Sequence, residues 1–230
     1  MEGRVTEYQW FFYLVYIQNL VLQDQFRKLF TDTIRAIVGA LETKDPYTHG
    51  HSIRVSQYAL MIGEKLGLPK DRLHNLELAA LLHDIGKIGT PDLILQKDKS
   101  LNTAEFNVMK LHPITGAQLI SQVEALKPIA PLIKHHHERF DGKGYPDGLV
   151  AEKIPLESRI IIVADTYDAM TSTRSYRKGL EKKIALKEIN RCAGTQFDPE
   201  IVGVFTSVIE QVDTPQESFF GVNLPWKKAA

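Results

Sequence analysis

Histidine and aspartate are the residues here whose type and placement could do chemistry. The chain holds eight histidines. His51, His83, His112 and the run His135-His136-His137 fall on or at the ends of four predicted helices, and Asp84 directly follows His83. Asp165 closes the apolar run Ile160-Ile161-Ile162-Val163-Ala164, and Asp84 follows the similarly apolar Leu76–Leu82 stretch. A buried carboxylate is costly unless it is paired or bound to a metal. Imidazole nitrogens mixed with carboxylate oxygens suit Fe, Mn or Zn, whereas Ca and Mg prefer all-oxygen sites. Taken alone, His83-Asp84 also reads as a packed histidine beside a capping aspartate, since two-residue motifs recur by chance. Adjacent imidazoles at a helix end, next to a glycine-rich loop, favour the ligand reading. Asp168, one turn after Asp165, is placed to orient a ligand by hydrogen bond. His49 and His74 have no partner pattern and read as surface or packing residues.

These side chains need helices to position them. Ile34 to Leu41 is apolar at helical spacing and stops before Asp45-Pro46. Helices are predicted over 49–66, closed by Gly67 and Pro69, and over 73–85, ended by Gly86. Asn102 with Glu105 is a capping box opening a further helix. His112-Pro113 opens another through Ile120, and one more runs from Pro128 to His137. Helices over 182–192 and 199–212 close the domain, the second with Asp198 as N-cap and Pro199 at its first position. Ile160–Val163 has strand propensity, yet no other segment supplies a partner strand, so it is read as a buried helix. The fold class is all-α. The long irregular stretch from Glu138 to Pro155 is glycine-rich, and long loops in compact domains are commonly functional.

The chain has 230 residues, enough for a proper core, and its 28 Lys+Arg balance its 28 Asp+Glu. No global basic field points to long nucleic acid, although Arg174, Arg177, Lys178, Lys182 and Lys183 form a local basic cluster. Cys192 is the single cysteine, which excludes an internal disulfide and suits a reducing cytoplasm. The apolar Tyr8–Leu22 stretch is interrupted by Gln9, Gln18 and Asn19 and falls short of a membrane span. It lacks the flanks of a signal peptide, so a soluble, cytoplasmic chain without a membrane span is expected. Phe12, Val15, Asn19, Leu22, Phe26, Leu29 and Thr33 follow an alternating 3,4 spacing. Two readings stay open: a helix packing on its own domain, or a parallel homodimer helix with Asn19 setting register. The expected organisation is an N-terminal helix over 1–30, a domain over 31–212 and a tail over 213–230.

Read in order, the motifs are His51-x-x-Arg54-Val55, His83-Asp84-Ile85-Gly86-Lys87, His112-Pro113, His136-His137-Glu138-x-x-Asp141-Gly142-x-Gly144-Tyr145-Pro146, Ala164-Asp165-x-x-Asp168-Ala169 and Arg174-x-Tyr176-Arg177. This ordered set resembles the HD-GYP phosphodiesterases, members of the HD superfamily of metal-dependent phosphohydrolases. The resemblance runs from about Thr31 to Val212 and implies an HD-domain helical bundle with a glycine-rich GYP loop. It implies hydrolysis of a cyclic dinucleotide, cyclic di-GMP foremost and cyclic GMP-AMP second, to a linear dinucleotide or on to mononucleotide. It also implies that His51, His83, Asp84 and Asp165 hold one metal ion, while Asp84 as a bridge, His112, His136 and His137 hold another. The ions would be iron or manganese. The His-His-Glu register leaves His135 outside the set. Catalytic roles fall to Asp84 and Lys87, with Lys87 on the scissile phosphate. Arg174 and the Gly144-Tyr145-Pro146 loop would meet the substrate, and the same loop is linked in the family to contact with diguanylate-cyclase domains. Tyr47 stands where some members have a glutamate associated with a third metal. A neutral phenol is a poorer ligand for a divalent ion, so two metals are expected.

Two such ions supply Lewis acidity to both reacting oxygens of an in-line displacement and make water nucleophilic near neutral pH. Two alternatives stand beside this reading: an HD phosphohydrolase acting on another nucleotide, and a sensor or interaction module that binds a dinucleotide without turnover. The long glycine loop and the Arg174 segment argue against the first, and the complete set of expected ligands argues against the second.

Overall fold

A computed structural model describes residues 7–42, 50–97, 99–173 and 178–211. Tyr47, His49, Arg174, Tyr176, Arg177 and the 213–230 tail lie outside these residues. Among the described residues the secondary structure is helical, and β structure amounts to the isolated bridges Asp141–Val150 and Ala193–Phe197. The all-α expectation therefore holds, including the Ile160–Val163 segment. Those residues sit inside α8 (Leu156–Thr171), where Ile160, Ile161, Ile162, Val163 and Ala164 are all buried. Their strand propensity is overridden because the helix is enclosed by neighbouring elements.

α8 packs with α2 (His51–Lys65), which in turn packs on α3 (Lys70–Leu82). α10 (Pro199–Gln211) crosses α2 and α8, and α9 (Lys182–Arg191) lies against both α8 and α10. An aromatic knot marks the centre of this side of the core. Tyr58 meets Tyr167 edge-on at 5.1 Å, and Tyr167 meets Phe205 at 5.0 Å, an arrangement favoured by ring quadrupoles. The backbone N–H of Glu200 donates to Asp198 Oδ1 at 2.9 Å, so the expected cap of α10 is present. α5 (Thr103–Met109) likewise opens with the expected reciprocal capping box of Asn102 and Glu105.

The helix ends nearest the histidines differ from the sequence reading. α3 stops at Leu82, and Asp84 takes φ −96°, ψ 4° before a 3-10 turn over Ile85–Gly89. His83 and Asp84 thus sit at a helix end, outside its regular part. The predicted 128–137 helix is broken: a 3-10 turn over Glu124–Ile129 leads into α7 (Ala130–Lys134), and the three histidines follow α7. α6 (His112–Ile120) starts at the expected histidine. α4 (Asp92–Leu95) is a single turn after the 3-10 segment.

α1 (Glu7–Glu42) runs unbroken through residue 30. Thr31, Ile34, Val38 and Glu42 are its buried residues, spaced for one helix face. That face docks toward α3, helped by Arg35 to Glu77 at 2.6 Å and Arg27 to Asp71 at 3.4 Å. The preceding turns leave Trp10, Phe12, Leu22, Phe26 and Leu29 exposed. Among the described residues no helix is long and apolar enough to cross a membrane.

The close fit of the 3-10 turn on α6 depends on Gly86. A Cβ there would lie 2.0 Å from the His112 carbonyl oxygen and 2.5 Å from the Gly116 nitrogen. Neither backbone atom can yield without moving the His112 helix. We expect Gly86→Ala to lower the unfolding free energy by about 3 kcal/mol, the upper range for overpacking, as measured by urea denaturation. A loss under about 0.5 kcal/mol, the scale of ordinary surface substitutions, would show that the contact is slack.

Candidate metal centre

Two groups of ligand atoms converge where these helix ends meet. Asp84, His112, His136 and His137 form one, and His51, His83 and Asp165 form the other, each with its donor atoms within 4.8 Å of one another. Together these are the residues that the sequence singled out as ligands. Asp84 lies between the groups: its Oδ2 is 3.4 Å from His83 Nε2, and its Oδ1 is 3.4 Å from His112 Nε2.

Three of the imidazoles are oriented by one local device. Nδ1 of His83 donates to Ala80 O at 2.7 Å, Nδ1 of His112 to Met109 O at 2.8 Å, and Nδ1 of His136 to Ile133 O at 2.6 Å. The accepting carbonyls belong to the last turns of α3, α5 and α7, where helical C=O groups lack an intrahelical partner. A carbonyl can only accept, so the proton sits on Nδ1 and each Nε2 turns a lone pair inward.

The inward lone pairs are left without ordinary partners. His83 Nε2 is buried and has no hydrogen-bond partner. His112 Nε2 and His136 Nε2 face each other at 3.3 Å, and with both protons on Nδ1 neither nitrogen can donate to the other. An uncompensated acceptor at this depth costs free energy, and a cation placed among these atoms removes that cost. With two carboxylates completing the set, the residues fit divalent transition-metal ions.

His51 is held differently, by a side chain rather than by a helix-end carbonyl. Its Nδ1 donates to Asp168 Oδ2 at 2.7 Å, and its Nε2 lies 3.2 Å from Asp165 Oδ1. Asp168 is fixed in turn by Arg54, Nε to Oδ1 at 2.6 Å and Nη2 to Oδ2 at 3.1 Å. The role considered for Asp168, orienting a ligand, matches this geometry. Arg54 as its clamp was not foreseen, since a motif arginine gives no hint of which carboxylate it meets.

Electrostatics follow the same division. Burial pushes His112 down to about 4 and His137 to about 3, and it drives His136 below the usual histidine range. Burial alone would also lower His51, but Asp165 and Asp168 outweigh it and raise that imidazole to about 10. Burial would raise the Asp84 carboxyl, yet the Lys87 ammonium beside it holds it well below the carboxylate range. Asp165 is held low against burial by its hydrogen bond from His51.

Lys87 reaches Asp84 Oδ2 with Nζ at 2.5 Å. A small cleft opens beside this pair, with Val38, Leu41, Glu42, Ser52 and Ile88 on its walls. On the opposite side, the Tyr145 ring stacks on His137 at 4.9 Å. Glu138, overlooked as a positioning group, organises this loop: its buried carboxylate accepts from the backbone of Asp147 at 2.7 Å, Gly148 at 3.1 Å and Leu149 at 3.1 Å. At Gly144 the close approach is to the protein itself, since a Cβ would lie 2.3 Å from Arg139 N. His135 points away from the cluster, toward Asp147 at 3.0 Å.

Comparison with known proteins agrees with this architecture. A family model described as HD domain matches residues 35–201. The cyclic di-GMP phosphodiesterase response regulator RpfG of Xanthomonas campestris is 42% identical over 173 residues, covering 74% of this chain and 46% of its own length. The 3'3'-cGAMP-specific phosphodiesterase 3 of Vibrio cholerae is 38% identical over 185 residues, covering 79% of this chain and 39% of its own length. The chain thus spans under half the length of the curated relatives it matches. Among solved structures, a cyclic GMP-AMP-specific phosphodiesterase of V. cholerae superposes with a TM-score of 0.64 at 23% identity, over 79% of this chain and 49% of that one, a likeness of fold.

The depressed histidines make stability depend on pH. The unfolded state protonates these imidazoles below about 6.5, while the native state keeps His112, His136 and His137 neutral. Unfolding therefore takes up protons between roughly pH 4 and 6.5, and stability rises with pH across that window by up to about 1.4 kcal/mol per unit for each group. His51, raised to about 10 in the native state, is protonated in both states at the bottom of the window and opposes the trend only near its top, where the unfolded imidazole loses its proton. Urea midpoints of chelator-treated protein should fall from pH 7 to pH 5, and a flat or opposite trend would contradict neutral imidazoles. The chain belongs to the HD domain family, of the HD-GYP type.

Proposed function

We propose that this chain is a metal-dependent phosphodiesterase that hydrolyses a cyclic dinucleotide, cyclic di-GMP first and cyclic GMP-AMP second. The observation that carries the reading is the convergence of unprotonated Nε2 atoms from His83, His112 and His136 around Asp84. Relatives that bear the names of cyclic di-GMP and cGAMP phosphodiesterases give the substrate class. His51, His83, Asp84 and Asp165 would hold one divalent ion, and Asp84, His112, His136 and His137 a second, with iron or manganese suited to the donors. Such ions supply Lewis acidity and a nucleophile from water.

The chain's own groups do the rest. Asp84 presents one oxygen to each group, Lys87 offers a cation to a phosphate at the shared edge, and Tyr145 walls the site over His137. Arg174 is assigned to the substrate by its motif alone. Lys143, Asp147 and Val150 are exposed on the rim of the Gly144-Tyr145-Pro146 loop, which supports a contact surface for a diguanylate-cyclase domain.

A steady-state assay with Mn2+ or Fe2+ tests the reading. Asp84→Ala should lower turnover of cyclic di-GMP by about 100-fold or more, the loss expected when a metal ligand rather than its supporting shell is removed, and equal turnover in both proteins would sink it. Parallel rates on cyclic di-GMP and cyclic GMP-AMP rank the two substrates.

The exposed seam of α1 supports self-association. Thr31, Ile34, Val38 and Glu42, which face the domain, lie across the helix from Phe12, Val15, Asn19, Leu22, Phe26 and Leu29. A parallel homodimer along that seam would bury these apolar residues, keep both domains outermost and pair Asn19 with its copy. Sedimentation should give a dimer for the wild type and a monomer for Leu22→Glu; a wild type that sediments as a monomer at every concentration would refute the seam.

A further inference from the structure

The N-terminus of α2 is capped from another helix. The first N–H groups of any helix lack intrahelical acceptors, and side-chain oxygens ordinarily supply them. Gly50, the residue ahead of α2, has no side chain, and the first turn contains no acidic residue. Glu42, the last residue of α1, fills the role. Its Oε2 accepts from Gly50 N at 2.6 Å and its Oε1 from Ser52 N at 2.9 Å. Those two N–H groups flank His51. Glu42 is 6% exposed, and two charge-assisted bonds at a helix N-terminus satisfy a carboxylate at that depth.

His51 is therefore fixed twice. Its ring is set by Asp168 and Arg54, and its backbone by Glu42. The other ligands of its group come from elements that Glu42 does not cap, His83 from the end of α3 and Asp165 from α8. The group of Asp84, His112, His136 and His137 takes no residue from α2. Release of Glu42 frees the first turn of α2, and His51 is the one ligand in that turn.

We infer that Glu42 is a positioning residue for His51, through which α1 sets the metal affinity of the His51–His83–Asp165 group and leaves the other group unaffected. The inference rests on the reading of these groups as metal sites. It makes α1 part of the scaffold of the centre, since the same helix end also walls the cleft beside Asp84 and Lys87.

The test is titration of the full chain with Mn2+, read by calorimetry and by electron paramagnetic resonance, for wild type, Glu42→Ala and Glu42→Gln. Glu42→Ala should weaken one binding step by about tenfold or more, the scale seen when a group that orients a ligand is lost, and leave the other step unchanged. Glu42→Gln keeps one acceptor oxygen and should recover part of the loss. Amide hydrogen exchange should quicken at residues 50–54 in Glu42→Ala, with α8 protected as before. A lowered melting temperature with both steps intact, or with both weakened alike, would overturn the inference and leave Glu42 as a fold cap. A wild type that binds no Mn2+ would instead overturn the metal reading itself, so the two failures are distinguishable.

Discussion

Lone pairs pointed at one another in a buried space repel, and the bundle is built around holding them there. His112 and His136 meet through acceptor nitrogens at 3.3 Å, with His83 Nε2 buried without a partner. The arrangement persists because the opposite nitrogen of each ring is tied to a carbonyl at a helix end. Three helices terminate one to three residues before a histidine, and the termination supplies the acceptor. The ends of α3, α5 and α7 are thus part of the site's chemistry. A helix continued through His83 would occupy the Ala80 carbonyl with its own i+4 N–H and weaken its hold on the imidazole.

His51 obeys the same requirement with different means. His112 also opens a helix, but α5 ends three residues before it and lends a carbonyl to its Nδ1, whereas the Nδ1 of His51 meets a carboxylate. The orienting acceptor is a side chain from elsewhere, Asp168 on α8. A buried carboxylate then needs its own partner, and Arg54 gives it a two-point clamp. The outward chain His51–Asp168–Arg54, with Glu42 on the backbone, is longer than the single bonds that serve the other three rings.

Residue type made the ligands legible, because buried histidine and aspartate have few other uses in such numbers. Local signals were equally readable: the Asn102–Glu105 box, Asp198 before Pro199, and the lack of any strand to pair with Ile160–Val163. The helix ends were less so. His83 keeps helical dihedrals, and periodicity over 73–85 does not register a break set by the packing of Gly86 on α6. Pro128 reads as a helix start, whereas the chain turns through a 3-10 segment before α7. Glu42 was invisible for another reason. Its partners, Gly50 N and Ser52 N, are backbone groups of a different helix, and no capping pattern spans that separation. At Gly144 the neighbour that excludes a Cβ is the backbone of Arg139 and Glu138, a packing that sequence position does not reveal.

The two ligand groups also differ in charge, and that difference gives the centre a direction. Asp84 lies between them, with one oxygen 3.4 Å from His83 and the other 3.4 Å from His112. Beyond it, one group adds the Asp165 carboxylate, while the other adds the neutral imidazoles of His112, His136 and His137. Equal divalent ions would be neutralised less on the three-histidine side, which is therefore the more attractive side for a phosphodiester oxygen. Tyr145, stacked on His137, narrows that same side with an aromatic face, and Lys87 pairs with Asp84 between the groups.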